Sequence, residues 1–393
     1  YSYVIYFYYS IKNYFVNTLS PLFLKIKRDN PRKRLVKIPG KRILSPGKEA
    51  AMNTESKKQQ IRDYVVERIV SGIWKPGDRL PTRVEFEQQF STTAMTVNAA
   101  LHPLVKEEFL ESSRKLGTRV HKMPPPFAHY ALLFTETEVH SETELKMRTA
   151  IGSAADMLEQ EQSITFRRYH AFSMHTDNPA FRQLEEDIRH RRMAGIIFVN
   201  WAYGMEQAPL LEKITLPMLA IVSHEVHPKI RTIRYELEQL YDAMFRHLRG
   251  NGSRRPAVIA IPGLKQFFQD RQWFPPEFIQ YATSKDAWTA GNLIRLLFSL
   301  PDGRRPDGLL VADDNLVPST LEALTELLGR DAAARLPIAV HANFPAPPPP
   351  GLPVSRFGFS QTDLLKQALA WINAPKRVLP APPLWIPPME NGG

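Results

Sequence analysis

Hydrophobic positions early in the chain follow the spacing of a helix. Ile61, Val65, Val66 and Ile69 lie three and four residues apart, and this spacing predicts a first helix with one buried face. Gly72 follows the stripe, where a glycine commonly ends a helix. The pattern therefore predicts an amphipathic helix that ends close to residue 72.

Two shorter helices and a hairpin follow a Pro-Gly-Asp turn at residues 76–78. Thr82, with Glu85 three residues later, predicts a capping box that opens the second helix. The expected buried face of the third helix is Met95, Val97, Leu101 and Leu104. Two short strands should then pair around a polar tip at residues 112–116. Elements in this order predict a winged helix-turn-helix, a DNA-binding fold, within residues 52–122.

The pattern changes after residue 126, where short continuous apolar runs alternate with helical patterns. The predicted strands are residues 130–134, 164–169, 194–199, 216–222, 257–261, 307–312 and 337–340. The predicted helices are residues 142–158, 179–190, 236–248, 287–300 and 318–328. Apolar strands that alternate with helices form parallel sheets with both faces covered, so residues 127–374 should be an α/β domain.

Proline-rich segments flank this α/β region. Residues 123–126, Met-Pro-Pro-Pro, predict a stiff linker, and residues 375–393 predict a tail that wraps the surface or is loose. Residues 1–51 hold 11 Lys or Arg against Asp29 and Glu49, a net charge of +9 out of +11 for the whole chain. The DNA-binding expectation therefore rests on the order of the elements and not on the overall charge.

The first 51 residues differ from the rest in composition. Tyr and Phe crowd the first 24 positions, and Met52 stands before the polar run that leads into the first helix. We expect Met52 to be the natural start and residues 1–51 to be a disordered or upstream-translated leader. A membrane anchor is the less favoured alternative because Lys12 and Asn13 interrupt the aromatic stretch.

The composition and motifs disfavour several kinds of enzyme. The absence of cysteine excludes disulfides, thiolate catalysis and cysteine-based zinc sites, and is compatible with a cytoplasmic location. The sequence has no glycine-rich phosphate loop, no His-Glu-x-x-His run and no Gly-x-Ser-x-Gly elbow. We therefore expect a protein that is not an enzyme and needs no cofactor or metal.

Three short pieces of residues 57–122 resemble the DNA-binding domain of GntR-type transcription regulators. They are Gly-Ile-Trp-Lys-Pro-Gly-Asp-Arg-Leu-Pro at 72–81, Met-Thr-Val with Ala-Leu at 95–101, and Gly-Thr with Val at 117–120. The resemblance implies a homodimer on double-stranded DNA, with the third helix in the major groove and the wing near the minor groove. The candidate DNA-contacting residues are Thr82, Arg83, Thr92, Thr93, Thr96, Asn98, Arg114, Lys115, Gly117 and Arg119.

The sequence departs from this family at positions that matter for base recognition. Val84, Ala94 and Asn98 stand where the family often has arginines, and Arg83 is one place off the pattern. The usual operator of the family is therefore not implied. Asn98 could instead pair with an adenine edge.

Four pieces of the second part resemble the effector domain of LacI/GalR-type repressors, which is similar to periplasmic sugar-binding proteins. They are residues 193–199, 216–218, 254–260 and 305–315, the last reading Arg-Pro-Asp-Gly-Leu-Leu-Val-Ala-Asp-Asp-Asn. The resemblance implies a two-lobed, periplasmic-binding-protein-like domain. Tyr235 stands where the family often has an aspartate, so the family's ligand is not implied.

Ligands of such folds bind at the carboxyl ends of the strands. The candidate ligand-binding residues are Thr135, Glu136, Asn200, Trp201, His224, Arg271, Trp273, Asp313, Asp314 and Asn343. Planar polar groups with an indole platform suit a polyhydroxylated ligand such as a sugar. The alternatives are helix capping for Asp313 and Asn315, and packing for the two tryptophans.

These observations leave two main hypotheses for the function and a third, less favoured one. The first is a repressor whose operator affinity is controlled by a small polar ligand, and the second is a DNA-binding protein whose α/β domain mainly dimerises. Ligand binding discriminates between them. A carbohydrate-processing enzyme with a regulatory head would need paired carboxylates in the cleft and measurable turnover.

Overall fold

The computed structural model describes residues 46–135, 142–201, 205–283, 286–375 and 377–391. Two compact units are present. The first comprises residues up to Lys106 together with Leu110–Val120, and the second comprises Glu107–Phe109 and the chain from His121 onwards. No helix of the described residues is both long enough and apolar enough to cross a membrane.

The first unit has three helices and a two-stranded hairpin. Its elements are α1 (Pro46–Val70), α2 (Arg83–Phe90), α3 (Ala94–Lys106), β1 (Leu110–Ser113) and β2 (Gly117–Val120). The strands pair antiparallel, with Ser113 opposite Gly117 next to the turn. This arrangement confirms the predicted winged helix-turn-helix. The first helix is longer than expected, because α1 begins at Pro46 and continues through Met52.

The caps and turns of this unit form where the sequence predicts them. Glu85 N donates to Thr82 Oγ1 at 3.3 Å, and Thr82 N donates to Glu85 Oε2 at 2.5 Å, which completes the predicted capping box. Gly72 has a φ of +72°, a left-handed conformation that glycine adopts at little cost. The first helix accordingly ends two residues earlier, at Val70.

The predicted buried face of α3 needs one correction. Val97, Ala100 and Leu104 are buried at helical spacing, whereas Met95 is 79% exposed. Residues two apart on a helix point about 200° away from each other. Once Val97 faces the core, Met95 must therefore face solvent.

The second unit contains two six-stranded sheets. The first sheet has the order β13-β7-β6-β5-β3-β4 and the second β14-β12-β11-β10-β8-β9. Every pairing is parallel except that of β12 with β14. The strands are β3 (His129–Thr135), β4 (Thr165–Phe172), β5 (Gly195–Phe198), β6 (Met218–Ile221), β7 (Ile230–Tyr235), β8 (Pro256–Ala260), β9 (Ile279–Tyr281), β10 (Gly308–Val311), β11 (Ile338–Phe344), β12 (Ser355–Ser360), β13 (Leu384–Ile386) and β14 (Met389–Asn391). The expected α/β fold class with parallel sheets is confirmed.

Helices cover the faces of both sheets. They are α4 (Pro125–Ala128), α5 (Glu142–Glu161), α6 (Pro179–Arg189), α7 (Pro209–Lys213), α8 (Leu237–Gly250), α9 (Lys265–Gln269), α10 (Trp288–Phe298), α11 (Val317–Leu328), α12 (Arg330–Ala333) and α13 (Gln361–Ile372). Nearly all the strand residues are buried, as expected for sheets covered on both sides.

The chain crosses between the two sheets three times. It leaves the first sheet after Tyr235 into α8, which packs on β10, β11 and β12 of the second sheet. It returns after Ser360 into α13, which packs on α5 and β13. The third crossing lies between β13 and β14, so the proline-rich tail supplies a strand to each sheet and belongs to this unit. The expectation of a loose or merely wrapping tail is wrong for residues 384–391.

Candidate functional site

One face of α3 is free of core contacts. Met95, Asn98, Ala99, His102 and Lys106 are exposed and follow one another at helical spacing. In a helix-turn-helix the exposed face of this helix enters the major groove. Asn98 is exposed on this face, and its contact with a base edge stays a prediction.

The threonines before and within α3 have structural roles. Thr93 Oγ1 lies 3.4 Å from Thr96 N and 3.2 Å from Thr96 Oγ1, so it caps the start of the helix. Thr96 is only 5% exposed. The structure contradicts the expectation that Thr96 contacts DNA, because its side chain faces the core beside Val97. Thr92 is half-buried.

The turn of the wing presents two of the expected cations. Arg114 and Lys115 are exposed between β1 and β2, and Gly117 completes the turn with a φ of +77°. Arg119 differs, because its Nη1 donates to the carbonyl of Gly77 at 3.0 Å. Arg119 therefore holds the base of the wing against the turn that precedes α2.

Residues at the start of α2 are partly committed to the helix itself. Thr82 is the capping residue, and Arg83 pairs with Glu87 at 3.3 Å. Exposed apolar residues lie on this unit as well, namely Ile73, Val84, Met95 and Leu116. Sequence periodicity placed Met95 in the core, so its availability for apolar contact with thymine methyl groups was missed.

In the second unit, a buried polar cluster lies at the carboxyl ends of the strands of the second sheet. Asp313, Asp314 and Asn315 follow β10, and Asn343 lies near the end of β11. The Asn315 backbone N and Nδ2 both donate to Asp313 Oδ1 at 2.9 Å. Asn343 Nδ2 donates to Asp314 Oδ2 at 3.0 Å. The structure thus brings Asp313, Asp314 and Asn343 together, as the sequence predicts.

The cluster continues across two of the crossings between the sheets. Gln361 Nε2 donates to Asn343 Oδ1 at 3.0 Å, and Tyr235 Oη donates to Gln361 Oε1 at 2.8 Å. Tyr235 ends β7 in the first sheet, whereas Gln361 follows β12 in the second. Lys146 of α5 also donates to the carbonyl of Asp314. This chain of hydrogen bonds therefore connects the strand-end carboxylates to both lobes.

Burial and charge shape the electrostatics of this cluster. Burial raises the pKa of Asp313 above its ordinary value, and the carboxylate of Asp314 raises that pKa further. His341 lies on the same strand as Asn343, and both of its ring nitrogens are buried without a hydrogen-bond partner in the described part of the chain. The cluster therefore combines hydrogen-bond acceptors and donors side by side, a combination that suits a ligand with several hydroxyl groups.

A second pair of candidates lies at the ends of adjacent strands in the first sheet. Thr135 N donates to Asn200 Oδ1 at 2.9 Å, and Asn200 Nδ2 lies 3.5 Å from the Thr135 carbonyl. The Thr135 side chain is fully buried, which leaves it no accessible surface for a ligand in this conformation. Trp201 packs edge-on against Phe198, with ring centroids 5.0 Å apart.

Among the remaining predicted ligand-binding residues, Arg271 and Trp273 contact side chains outside the strand-end cluster and the Thr135–Asn200 pair. Arg271 ion-pairs with Glu238 and lies 3.7 Å from the ring centroid of Phe267. Trp273 stacks on Phe245 at 5.1 Å, which supports the packing interpretation. His224 is exposed, and Glu136 lies outside the described residues. Sequence reasoning missed Lys146 and Gln361, although the position of Gln361 directly after a strand could have identified it.

The described residues hold no group of three or more His, Asp or Glu side chains that could bind a metal ion. The amides and carboxylates of the strand-end cluster can bridge neighbouring hydroxyl groups of a ligand through donors and acceptors placed side by side.

Comparison with known proteins gives matches for both units. The repressor MngR of the mannosyl-D-glycerate transport/metabolism system of Escherichia coli (strain K12) is 32% identical over 112 residues, 27% of this chain and 46% of the relative. The chain thus spans about half the length of this relative. The arabinose metabolism transcriptional repressor of Geobacillus stearothermophilus is 23% identical over 300 residues, 70% of this chain and 78% of the relative.

The solved structure of a regulatory protein of the LacI family from Chloroflexus aggregans is similar to this chain, and the matched region covers 67% of this chain and 96% of that protein. The TM-score is 0.46 and the sequence identity is 16%. The family model of bacterial regulatory proteins of the gntR family matches residues 57–120. This match covers α2, α3 and both strands of the wing. The helix-turn-helix of this chain is therefore a domain of the gntR family of bacterial regulatory proteins.

Proposed function

We propose that this protein is a DNA-binding transcription regulator, a repressor, whose operator affinity is controlled by a small polar ligand, a sugar or sugar derivative. The observation that carries the proposal is a gntR-family winged domain followed by a two-sheet unit with a buried polar cluster at its strand ends. The curated relatives named above are repressors of mannosyl-D-glycerate and arabinose systems. The proposal assigns the protein to the cytoplasm and gives it no catalytic activity.

The DNA-binding step follows from the surface of the first unit. Asn98 on the exposed face of α3 reads a base edge in the major groove, and Arg114 and Lys115 on the wing contact phosphates. One such unit covers one half-site, so two copies bind half-sites that are about one or two helical turns apart. The homodimer has a candidate surface in Trp288 and Leu296 on α10, which are 65% and 70% exposed.

The control step follows from the hydrogen-bonded cluster. A ligand that binds Asp314 and Asn343 changes bonds that extend through Gln361 to Tyr235, and hence the relation of the two lobes. In a homodimer such a change alters the spacing of the two DNA-binding units. The expected coupling is about 1–3 kcal/mol and must be reciprocal, so operator DNA changes ligand affinity by the same factor.

The experiment that tests the proposal is sequencing of genomic DNA fragments retained by the protein, with and without each member of a sugar panel. The proposal predicts enrichment of a two-fold symmetric motif that one sugar weakens or strengthens. Failure to enrich any motif would overturn the DNA-binding assignment. A motif that no ligand affects would favour the alternative, in which the second unit serves mainly dimerisation.

Asp314→Asn should lower the affinity for the effector by about tenfold or more, because it removes a charge-assisted hydrogen-bond acceptor at the centre of the cluster. Binding to the operator without ligand should not change. Calorimetric titration with and without operator measures both quantities. Asp302→Asn is the matched control, since Asp302 is 91% exposed. Equal effector affinity in the two variants would show that the effector does not bind at this cluster.

Replacing Arg114 and Lys115 together with glutamine should weaken binding to every DNA sequence by a similar factor. The slope of log K against log salt should fall by about 2 per subunit, because two phosphate contacts are lost. Fluorescence anisotropy at several salt concentrations measures this slope. The matched control replaces Arg246 and Arg330 with glutamine, two exposed arginines of the second unit away from α10, which removes the same charge. An identical slope in both double variants would contradict a role of the wing in phosphate contact.

A further inference from the structure

A second polar feature lies on β12, apart from the strand-end cluster. Arg356, Gly358 and Ser360 alternate along this strand, while Phe357 and Phe359 point to the opposite side, into the core. Arg356 is only 6% exposed. A guanidinium so deeply buried is uncommon unless a carboxylate neutralises it.

The charge of Arg356 has no such partner in the described part of the chain. One Nη donates to the carbonyl of Ala346 at 2.7 Å, and the guanidinium lies 5.0 Å from the ring centroid of Phe344. Nε is buried and finds no hydrogen-bond partner among the residues that the structure describes. Burial lowers the pKa of Arg356 below its ordinary value. A buried donor without an acceptor calls for an explanation such as an ion or a ligand.

Arg356 lines a groove of about 350 Å³ on the side of β12 opposite Phe357 and Phe359. The other walls are Phe344 with the loop of residues 345–348, Ser360, Thr362 and Met389. The groove adjoins the start of α13, a 12-residue helix whose first backbone N–H groups favour an anion. Ser360 Oγ accepts a hydrogen bond from Asp363 N at 3.1 Å, which leaves its own hydrogen available for donation.

We propose that this groove binds an oxyanion, the carboxylate or phosphate group of a small molecule. The guanidinium of Arg356 supplies the positive charge, and the Nη that does not bond to Ala346 donates to one oxygen of such a group. The hydroxyl groups of Ser360 and Thr362 donate to the remaining oxygens. The groove differs from the strand-end site in its residues and in the charge of its ligand, and the proposal does not depend on the proposed effector.

The groove also adjoins a crossing between the lobes. Ser360 directly precedes Gln361, whose side chain connects Asn343 to Tyr235. An anion held by Ser360 and Arg356 therefore restrains β12 at the point where the chain returns to the first sheet.

The test uses the full chain and two probes, inorganic phosphate and acetate, each compared with chloride at matched ionic strength. An anion that binds only the folded state should raise the Tm of the unaltered protein by about 3 °C at ten times its Kd. The control Arg246→Met, which removes an exposed arginine, should show the same rise. Arg356→Met should show none, and Arg356→Lys should show a smaller one because it keeps the charge and loses the guanidinium donor.

The two explanations of Arg356 predict opposite results. An anion site predicts that Arg356→Met has an unchanged or higher Tm in chloride, since a buried unpaired charge is removed. If Arg356 only holds the loop through its bond to Ala346, Arg356→Met should have a lower Tm in every salt. Its Tm should then rise with phosphate or acetate as much as that of Arg246→Met, and this result would overturn the proposal. If Arg356→Met does not fold, the arginine Nε–H signals of the unaltered protein decide by NMR. One buried signal should shift on addition of phosphate or acetate, and the absence of any such shift overturns the proposal.

Discussion

Replacing Asp187 with alanine should lower the free energy of unfolding of the second unit by about 3–5 kcal/mol. Asp187 lies on α6 and is fully buried. Arg167 Nη1 donates to its Oδ2 at 2.6 Å, Tyr169 Oη donates to the same oxygen at 2.5 Å, and Arg192 Nε lies 2.9 Å from Oδ1. Removal of the carboxylate leaves the Arg167 guanidinium and the Tyr169 phenol without their acceptor and takes one ion-pair partner from Arg192, and that uncompensated desolvation is the source of the loss.

Urea unfolding at neutral pH measures this loss, with Asp302→Ala as the control. Asp302 also pairs with an arginine, but it is almost fully exposed, so its replacement should change little. A loss for Asp187→Ala no larger than that of the control would contradict the assigned role of the buried cluster.

The stabilisation by Asp187 should also depend on pH. Burial alone would raise the pKa of Asp187, but the hydrogen bonds from Arg167 and Tyr169 outweigh burial and hold that pKa below its ordinary value. The stabilisation is therefore present above the ordinary aspartate range of about pH 4 and is lost as the pH falls through the lowered pKa. The difference between the unaltered protein and Asp187→Ala should accordingly shrink in acid.

The strongest apolar runs of the sequence became central strands, and this is why the fold class was predictable. Residues 194–199 and 257–261 coincide closely with β5 and β8, which lie inside their sheets with neighbours on both sides. Strands near the sheet edges carry weaker patterns. β12 reads Ser-Arg-Phe-Gly-Phe-Ser, and its polar residues face the groove, so no continuous apolar run marks it. β13 and β14 are three residues each and stand among prolines.

The positions of candidate site residues were predictable where they depend only on which residues end or follow a strand. Asp313, Asp314 and Asn343 follow or end strands, and parallel strands bring their carboxyl ends to one edge. Long-range pairings were not predictable in the same way. The sequence predicts that Arg271 contacts a ligand, whereas in the structure its guanidinium pairs with Glu238, 33 residues away in the chain. The phase of α3 was also missed, because Met95 and Val97 are both apolar and only packing against α1 decides between them.

Asn98→Ala should weaken binding to the protein's own operator by about 10–100-fold, the loss of one bidentate base contact. Asn98 lies on the exposed face of α3, and its amide can donate to and accept from an adenine edge. The preference should relax at one A·T pair per half-site, while the salt dependence stays the same because no phosphate contact is lost. Sequencing of retained random-sequence duplexes measures the preference at every position.

Thr96→Val is the sharpest control for this prediction. The helical motif places Thr96 and Asn98 together as base-contacting candidates, whereas the structure buries Thr96 and leaves Asn98 exposed. Valine has nearly the shape of threonine, so the buried position should accept it at the cost of the bond to Thr93. Thr96→Val should therefore keep the base preference of the unaltered protein. A preference that changes with Thr96→Val and not with Asn98→Ala would mean that the opposite face of α3 enters the groove, and the assigned DNA-contacting surface would have to be abandoned.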